Sequence, residues 1–336
     1  MKNNRSIIDK LTALWALNES GLGGVLHVFN SPLTGLLVGG IAILLISLIA
    51  WYSENKWKAI LKALLIVLII KVAVSPHSPP TAYLAVSFQA VLGAFLFSVF
   101  SWKGFTLVLL GMLTFLESAL QKLIVLTLIY GEGLWEAVDN YGLWLMEKMG
   151  FITNMTASSL VIFGYLTVYG IGGILAGLFI KSIITLISKQ EPDTKFNIPF
   201  DKTTSKQRKN RRAFRHSILL IWGITIAIIL FAFTFFGGPS SGWQKAIYIM
   251  LRSLLVLLLW YVIIGPFLLK LIRRYLRKKE SKYKAEINNA MDLFPYFRSI
   301  IAYTWEGSKH LKGYVRFKHF VAYTILYCIH FEIDPK

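Results

Sequence analysis

The chain alternates long apolar runs with short polar connections, and this pattern predicts its architecture. A helix that crosses a bilayer needs about 20 predominantly apolar residues, and eight stretches approach that length. They are Leu11 to Phe29, Leu33 to Tyr52, Trp57 to Val74, Thr81 to Trp102, Phe105 to Tyr130, Leu160 to Ile187, Ser217 to Phe236 and Ala246 to Ile272. We therefore predict an all-α fold, a polytopic transmembrane helix bundle of about eight spans.

Polar residues interrupt the fifth predicted span on one side only. Thr114, Glu117, Ser118 and Gln121 follow one another at offsets of three or four, so they share a helix face, with Lys122 at its edge. An acid at the bilayer centre costs about 2.5 to 3.5 kcal/mol. Glu117 is therefore expected to face the interior of the bundle or a water-filled cavity.

The fourth predicted span offers a matching face, because Gln89 lies among small residues there. Only a few residues separate spans four and five, so the two helices are expected to be antiparallel neighbours. We predict that Gln89 and Glu117 face one polar cavity and that Gln121 and Lys122 complete a substrate-binding site. The proline-rich connection that follows span three places His77 as a further candidate at its mouth. The alternative is that these groups only form hydrogen bonds between helices.

The first predicted span carries a stripe of small residues. Ala16, Ser20 and Gly24 recur at four-residue steps, which allows two helices to approach closely. The stripe indicates either packing inside this chain or a docking surface for another membrane subunit. Glu19 lies next to it and, as an intramembrane acid, should find a partner. Lys71, near the end of span three, is expected to extend its ammonium towards the head groups or a cavity mouth.

Composition and charge place the protein in the membrane. Hydrophobic residues make up 55% of the chain and charged residues 16%, which is too apolar for one soluble domain. The net charge of +19 is concentrated in alternate connections, as the positive-inside rule describes, so nucleic acid is not an expected partner. We predict a multi-pass plasma (inner) membrane protein with both termini cytoplasmic, the proline-rich connection outside, and basic clusters against the anionic inner leaflet.

These boundaries predict four segments. Residues 1–190 form a six-helix transmembrane bundle with a ligand cavity, in which the stretch from Glu132 to Met149 is a helix at the outer interface. Residues 191–215 are a basic cytoplasmic loop, and residues 216–273 are a two-helix hairpin in which Pro266 kinks the second helix. Residues 274–336 are a basic, aromatic tail that is ordered against the inner leaflet or a cytoplasmic partner.

Several catalytic signatures are absent from the sequence. It contains no phosphate-binding loop, no HExxH and no GxSxG, and its only cysteine is Cys328. We therefore expect no cofactor, no metal site and no ATP hydrolysis by this chain, and a non-enzymatic role is favoured. A membrane enzyme acting on a lipid or isoprenoid, with Glu117 as acid or base and His77 nearby, stays open as an alternative.

The first six predicted spans resemble the membrane-embedded substrate-binding (S) component of energy-coupling factor transporters. The resemblance rests on six helices with cytoplasmic ends, on Ala16, Ser20 and Gly24, and on polar faces towards the outer half. It implies a small vitamin-like solute in a pocket closed by outer loops, a membrane coupling subunit that contacts the small-residue stripe, and a cytoplasmic ATPase. It covers about residues 8–190, and the last two spans depart from the family pattern. Solute binding or transport is thus the leading hypothesis, and an accessory or assembly role is the other alternative.

Overall fold

The described parts of the chain are helical. The computed structural model describes residues 2–22, 34–76, 78–100, 104–150, 155–189, 247, 249–250, 253–257 and 259–331, and all regular structure in these ranges is helix, so the all-α prediction is confirmed there. The helices are α1 (Lys2–Leu17), α2 (Thr34–Tyr52), α3 (Lys56–Val74), α4 (Pro80–Val99), α5 (Gly104–Tyr130), α6 (Glu132–Met149), α7 (Ala157–Lys189), α8 (Gly265–Glu280), α9 (Lys284–Asp292), α10 (Phe294–Gly307) and α11 (Gly313–His330). Short π-helical turns, Asn18–Leu22 and Leu259–Ile264, follow α1 and precede α8, and a 3₁₀ turn, Ser281–Tyr283, precedes α9.

Most helix bounds agree with the apolar pattern. The second to sixth predicted spans correspond to α2 to α5 and α7, and the predicted interfacial segment corresponds to α6. The first helix starts well before the predicted Leu11. The seventh predicted span lies outside the described residues, and Pro266 lies in the first turn of α8, directly after a π-helical turn.

Four described stretches are long and apolar enough to cross a membrane. They are Pro80–Val99, Gly104–Tyr130, Ala157–Lys189 and a window within Ser253–Gly307, and α2 contains a shorter apolar helix. Large apolar side chains are exposed along these helices, among them Leu84 on α4, Phe105 on α5 and Phe163 on α7. Lipid would cover such faces, whereas exposing them to water would be unfavourable. The chain is therefore compatible with a multi-pass membrane protein, while a count of eight spans stays a prediction.

The chain divides into two compact units. The first comprises residues 1–123, 159–200 and 264–336, and the second comprises residues 124–158 and 201–263. These boundaries cut across the four segments predicted from composition. The core of the first unit is α1 with α2, because residues 11–20 and 42–50 are all buried. Around that pair, α3 packs on α1 and α4, and α4 packs on α2.

Helices α5 and α7 cross with their backbones in contact. A Cβ atom at Gly173 would overlap Gly111 and Met112 of α5, and one at Gly177 would overlap Val108. Glycine at these positions lets the two backbones approach, which is the small-xxx-small mode of helix packing in lipid. Gly173 and Gly177 are therefore the positions at which α7 packs closely on α5.

Two local polar contacts of the second unit involve side chains of α6. The carboxylate of Asp139 accepts a hydrogen bond from the backbone N–H of Ser158 at 2.6 Å, at the start of α7. The indole of Trp135 donates to the hydroxyl of Thr127 at 3.1 Å. α6 ends at Gly150, which adopts the left-handed conformation typical of a helix C-terminus.

The C-terminal helices pack on the N-terminal ones. Helices α9, α10 and α11 all contact α1, and α9 also contacts α3 through an ion pair of 3.0 Å between Lys62 and Glu286. The Lys10 ammonium donates a hydrogen bond to the carbonyl of Ile329, 319 positions away, at 2.8 Å. The described part of the tail is helical and packs on its own chain, while its contact with the inner leaflet or a cytoplasmic partner stays a prediction.

Burial and the Lys10 ammonium both lower the pKa of His330, at the end of α11. The folded state thus favours the neutral imidazole more strongly than the unfolded state does. This contribution to stability is present above the ordinary pKa of histidine and is lost as the pH falls below it.

One part of the predicted membrane topology is wrong. The charge pattern predicts that the proline-rich connection, Ser75–Pro80, lies outside and that the basic cluster after the last span, which begins at Arg273, lies inside, but the guanidinium of Arg273 donates to the carbonyl of Pro76 at 2.7 Å. Two residues in hydrogen-bond contact cannot lie on opposite sides of a bilayer. The error arises because α8 runs antiparallel to α3, from Pro76 towards Lys62, instead of starting at the inner surface.

We expect Pro76→Cys and Arg274→Cys, each in a Cys328→Ser background, to react with an impermeant maleimide from the same side of the membrane. Both positions are exposed and lie beside the Arg273–Pro76 contact. Ser205→Cys in the basic loop gives the reference for the side predicted to be inside. Labelling of positions 76 and 274 from opposite sides would contradict the structure.

We expect Phe297→Ala to release the C-terminal helices. Phe297 is fully buried, and emptying such a site costs about 3 to 5 kcal/mol. Trypsin should then cleave the purified protein rapidly at the Lys and Arg of residues 298–318, which resist cleavage in the unmodified chain. Val315→Ala, at an exposed site of α11, should leave the digestion unchanged. Equal digestion of the Phe297 variant and the unmodified chain would show that the tail does not depend on this core.

Candidate functional site

A buried ion pair joins the first and third helices. The Lys71 ammonium lies 2.7 Å from a carboxylate oxygen of Glu19, and both side chains are almost fully buried, 4% and 3% exposed. Glu19 lies in the π-helical turn after α1, and such turns often mark functional sites. The predicted partner for the Glu19 acid is therefore found, and it is the lysine expected to extend to the surface.

The expectation that Lys71 reaches the head groups is wrong. Its ammonium is inside the bundle, where it also lies 5.8 Å from the ring centroid of Tyr83 on α4, within reach of a cation–π contact. The sequence does not show this because Lys71 and Glu19 are 52 positions apart. Only the packing of α1 against α3 brings the two charges together.

The predicted docking stripe is partly inside the chain. Ala16 is fully buried, and the Ser20 hydroxyl, also buried, donates to the Ala16 carbonyl at 2.6 Å. Gly24 lies outside the described residues. Packing within the chain accounts for Ala16 and Ser20, and contact with another membrane subunit stays a prediction.

Polar oxygens of α4 and α5 lie at one level of the bundle. The amide of Gln121 donates to the carbonyl of Thr81 at 3.3 Å, and a Cβ atom on Gly93 would lie 3.6 Å from Leu110. Between these two contacts, the antiparallel register places Thr114 at the level of Gln89. Spans four and five are thus neighbours, as predicted.

Helix α2 lies beside the same level. A Cβ atom on Gly39 would be 3.3 Å from the Gln89 amide nitrogen, and one on Gly40 would be 3.9 Å from the ring of Phe115. The absence of side chains at Gly39 and Gly40 therefore leaves space for groups from α4 and α5. Three helices surround this level.

Three oxygens near this level are buried without a hydrogen-bond partner among the described residues: Gln89 Oε1, Thr114 Oγ1 and Glu117 Oε2. We call these atoms the acceptor layer. Gln89 is 4% exposed and Thr114 is fully buried, while Glu117 lies about one helical turn further along α5. A buried oxygen without a donor costs about 1 to 3 kcal/mol. Such a cost is compensated when a bound molecule supplies the donors.

The other predicted site residues have partners within the bundle. Gln121 binds the backbone of α4, as described above, and the Lys122 ammonium donates to the hydroxyl of Tyr169 on α7 at 3.1 Å. Tyr165 and Tyr169 lie side by side, with ring centroids 4.7 Å apart. Gln121 and Lys122 thus link α5 to its neighbours, and their role in ligand binding stays a prediction. His77 lies outside the described residues.

The structure adds Asn18 to the polar groups around α2. Its amide donates to the Val38 carbonyl at 3.1 Å, and its Oδ1 atom has no donor among the described residues. Asn18 is directly before Glu19 in the π-helical turn. The polarity of Asn18 within an apolar run was the only sequence signal for it, and that signal does not show which way the side chain points.

We expect Glu19→Gln and Lys71→Met each to destabilise the protein by about 3 to 5 kcal/mol, because each leaves one buried charge unpaired. The double variant should lose far less than the sum. The pair of Lys62, on α3 like Lys71, and Glu286, on α9, is the matched control. Its side chains are 36% and 26% exposed, and such pairs contribute at most about 1 kcal/mol. Denaturant unfolding of the detergent-solubilised variants measures these differences. Additive losses in the Glu19 and Lys71 double variant would exclude coupling.

Comparisons with known proteins found no relative of this chain. No family model matches it, and neither a curated protein nor a solved structure does. The similarity of its first six predicted spans to substrate-binding components of energy-coupling factor transporters therefore stays a prediction.

Proposed function

We propose that this protein binds a small polar solute inside its helix bundle, as the solute-binding or transporting part of a membrane system. The acceptor layer is the observation that carries the proposal. Gln89 Oε1, Thr114 Oγ1 and Glu117 Oε2 offer three buried oxygens on two adjacent helices, with no donor for them in the described chain. A solute that donates hydrogen bonds would satisfy them.

The chemistry of the oxygens favours a solute with N–H or O–H groups. Carboxylate, amide and hydroxyl oxygens all accept hydrogen bonds, and a carboxylate in a low-dielectric site favours a positively charged donor. We therefore expect an ammonium, amidine or polyhydroxyl group on the solute. Lys122 lies five positions after Glu117, at the next turn of α5. Its hydrogen bond with Tyr169 would form one wall of the site.

Partners and location follow from the same proposal. A solute-binding bundle without an ATP-hydrolysing motif needs a separate source of energy for uptake, so a membrane coupling subunit and a cytoplasmic ATPase are the proposed partners. The plasma membrane is the proposed location, with basic clusters towards the anionic leaflet.

A role in assembly is the second candidate, and specific contacts favour it. Gln121, Lys122 and the Glu19–Lys71 pair are satisfied by other helices of the same chain. Polar groups used in this way hold helices together without binding a ligand. The assembly role predicts that the acceptor layer also has no ligand.

We expect the protein purified from its native membrane to carry a small molecule that native mass spectrometry detects. Gln89→Leu, Thr114→Val and Glu117→Gln should each weaken its retention by about tenfold or more, because each removes a hydrogen bond, charge-assisted in the last case. Folding and membrane yield should stay near normal for Glu117→Gln, since the amide keeps the size of the carboxylate.

Ser98→Ala is the matched control. This hydroxyl is also on α4, but it is exposed and donates to its own helix, at the Ala94 carbonyl. Retention of the solute with unchanged affinity in all three acceptor-layer variants would contradict the proposed site. If the three variants behave like the unmodified chain and another membrane protein copurifies with it, the assembly role is favoured.

A further inference from the structure

A cavity lies between α1 and α2 on one side and α10 and α11 on the other, and none of the acceptor-layer residues lines it. Its volume is about 420 Å³, within the range of sites that bind small molecules. The described residues that line it are mostly leucine, isoleucine, valine and phenylalanine. Leu44 and Leu45 on α2 and Ile325 on α11 are buried, whereas Arg298 and Ile301 on α10 are exposed or partly exposed, so the cavity opens on the side of α10.

Three polar residues, Asn18, Arg298 and Thr324, interrupt the apolar lining. Asn18 is 3% exposed, and its Oδ1 atom has no donor among the described residues. Arg298, on α10, lines the cavity with an exposed side chain and forms no hydrogen bond or ion pair with the described part of the chain. The third polar residue, Thr324, is satisfied by the Phe320 carbonyl and the Thr304 hydroxyl.

The charge of Arg298 and the apolar lining of the cavity together specify the kind of molecule that it binds. An apolar cavity binds a hydrocarbon body, and an arginine at its rim binds a carboxylate or a phosphate through paired N–H donors. A purely apolar molecule would leave the Arg298 guanidinium without an anionic partner. A water-soluble anion would leave the apolar lining of the cavity exposed to water. The volume favours one hydrocarbon chain over the two chains of a phospholipid.

We propose that this cavity binds a single-chain amphiphile, with its hydrocarbon body between α2 and α11 and its anionic head group at Arg298. The bound molecule would contact both the N-terminal helices and the C-terminal helices that pack on them. It would therefore stabilise the docking of α10 and α11.

The proposal is tested on the full-length protein in detergent with three photoreactive probes of one chain length. They are a 16-carbon carboxylic acid, the corresponding alkyl phosphate and the corresponding alcohol, each with a diazirine on the chain. We expect saturable labelling of about one molecule per chain by the acid, the phosphate or both, mapping to the residues within 14–45 and 298–325 that line the cavity. The comparison of acid with phosphate identifies the head group, and the alcohol should label at least tenfold more weakly than the better anion.

Variants separate the head-group contact from the cavity. Arg298→Gln should weaken labelling by the anionic probes about tenfold or more and leave the alcohol unchanged, and Arg298→Lys should restore part of the loss. Ile301→Trp, which fills the cavity from its partly exposed side, should reduce labelling by all three probes. Lys318→Gln removes a charge on α11 that does not line the cavity, and it should have no effect.

Equal labelling by acid, phosphate and alcohol would overturn the proposal, as would anionic labelling that Arg298→Gln leaves intact. Absence of saturable labelling by every probe would also overturn it, because the cavity then holds a segment of protein or another occupant. Retained elution volume in size-exclusion chromatography shows that a variant is folded. The acceptor layer plays no part in these measurements, so their outcome is independent of the proposed solute site.

Discussion

The architecture of the first unit depends on the ion pair between Glu19 and Lys71. Taking two charges out of water costs several kcal/mol each, and a buried pair recovers this only with close geometry. At 2.7 Å, with both side chains almost fully buried, the pair satisfies that condition and fixes the register of α3 against the π-helical turn after α1. Asn18, in the same turn, is thereby held against α2 through the Val38 carbonyl.

The buried polar groups of this unit fall into two kinds. Glu19, Lys71, Gln121 and Lys122 have partners on neighbouring helices, so they stabilise the packing of the bundle. The acceptor layer and the Asn18 Oδ1 atom have none among the described residues. Groups of the second kind cost free energy in the isolated chain, and the proposed solute site rests on those of the acceptor layer. The division explains why a polar stripe alone, as on α5, does not distinguish a ligand site from interhelical contacts.

The sequence predicted the local structure well and the long-range contacts poorly. The limits of α2 to α5 follow from apolar runs and their polar ends, and the proximity of α4 and α5 follows from the short connection between them. The Glu19–Lys71 pair, the Arg273–Pro76 contact and the docking of Ile329 at Lys10 join residues far apart in the chain. No periodicity encodes which distant charges will meet. The charge rule that placed Arg273 inside failed because basic residues on α8 line a helix that packs along α3.

An experimental density map of the protein purified from its native membrane, at a resolution that shows side chains, tests the solute site most directly. The account predicts density for a bound molecule between α4 and α5, within hydrogen-bond distance of at least two oxygens of the acceptor layer. A map in which Gln89, Thr114 and Glu117 form hydrogen bonds with one another or with neighbouring helices, with no bound molecule, would contradict it.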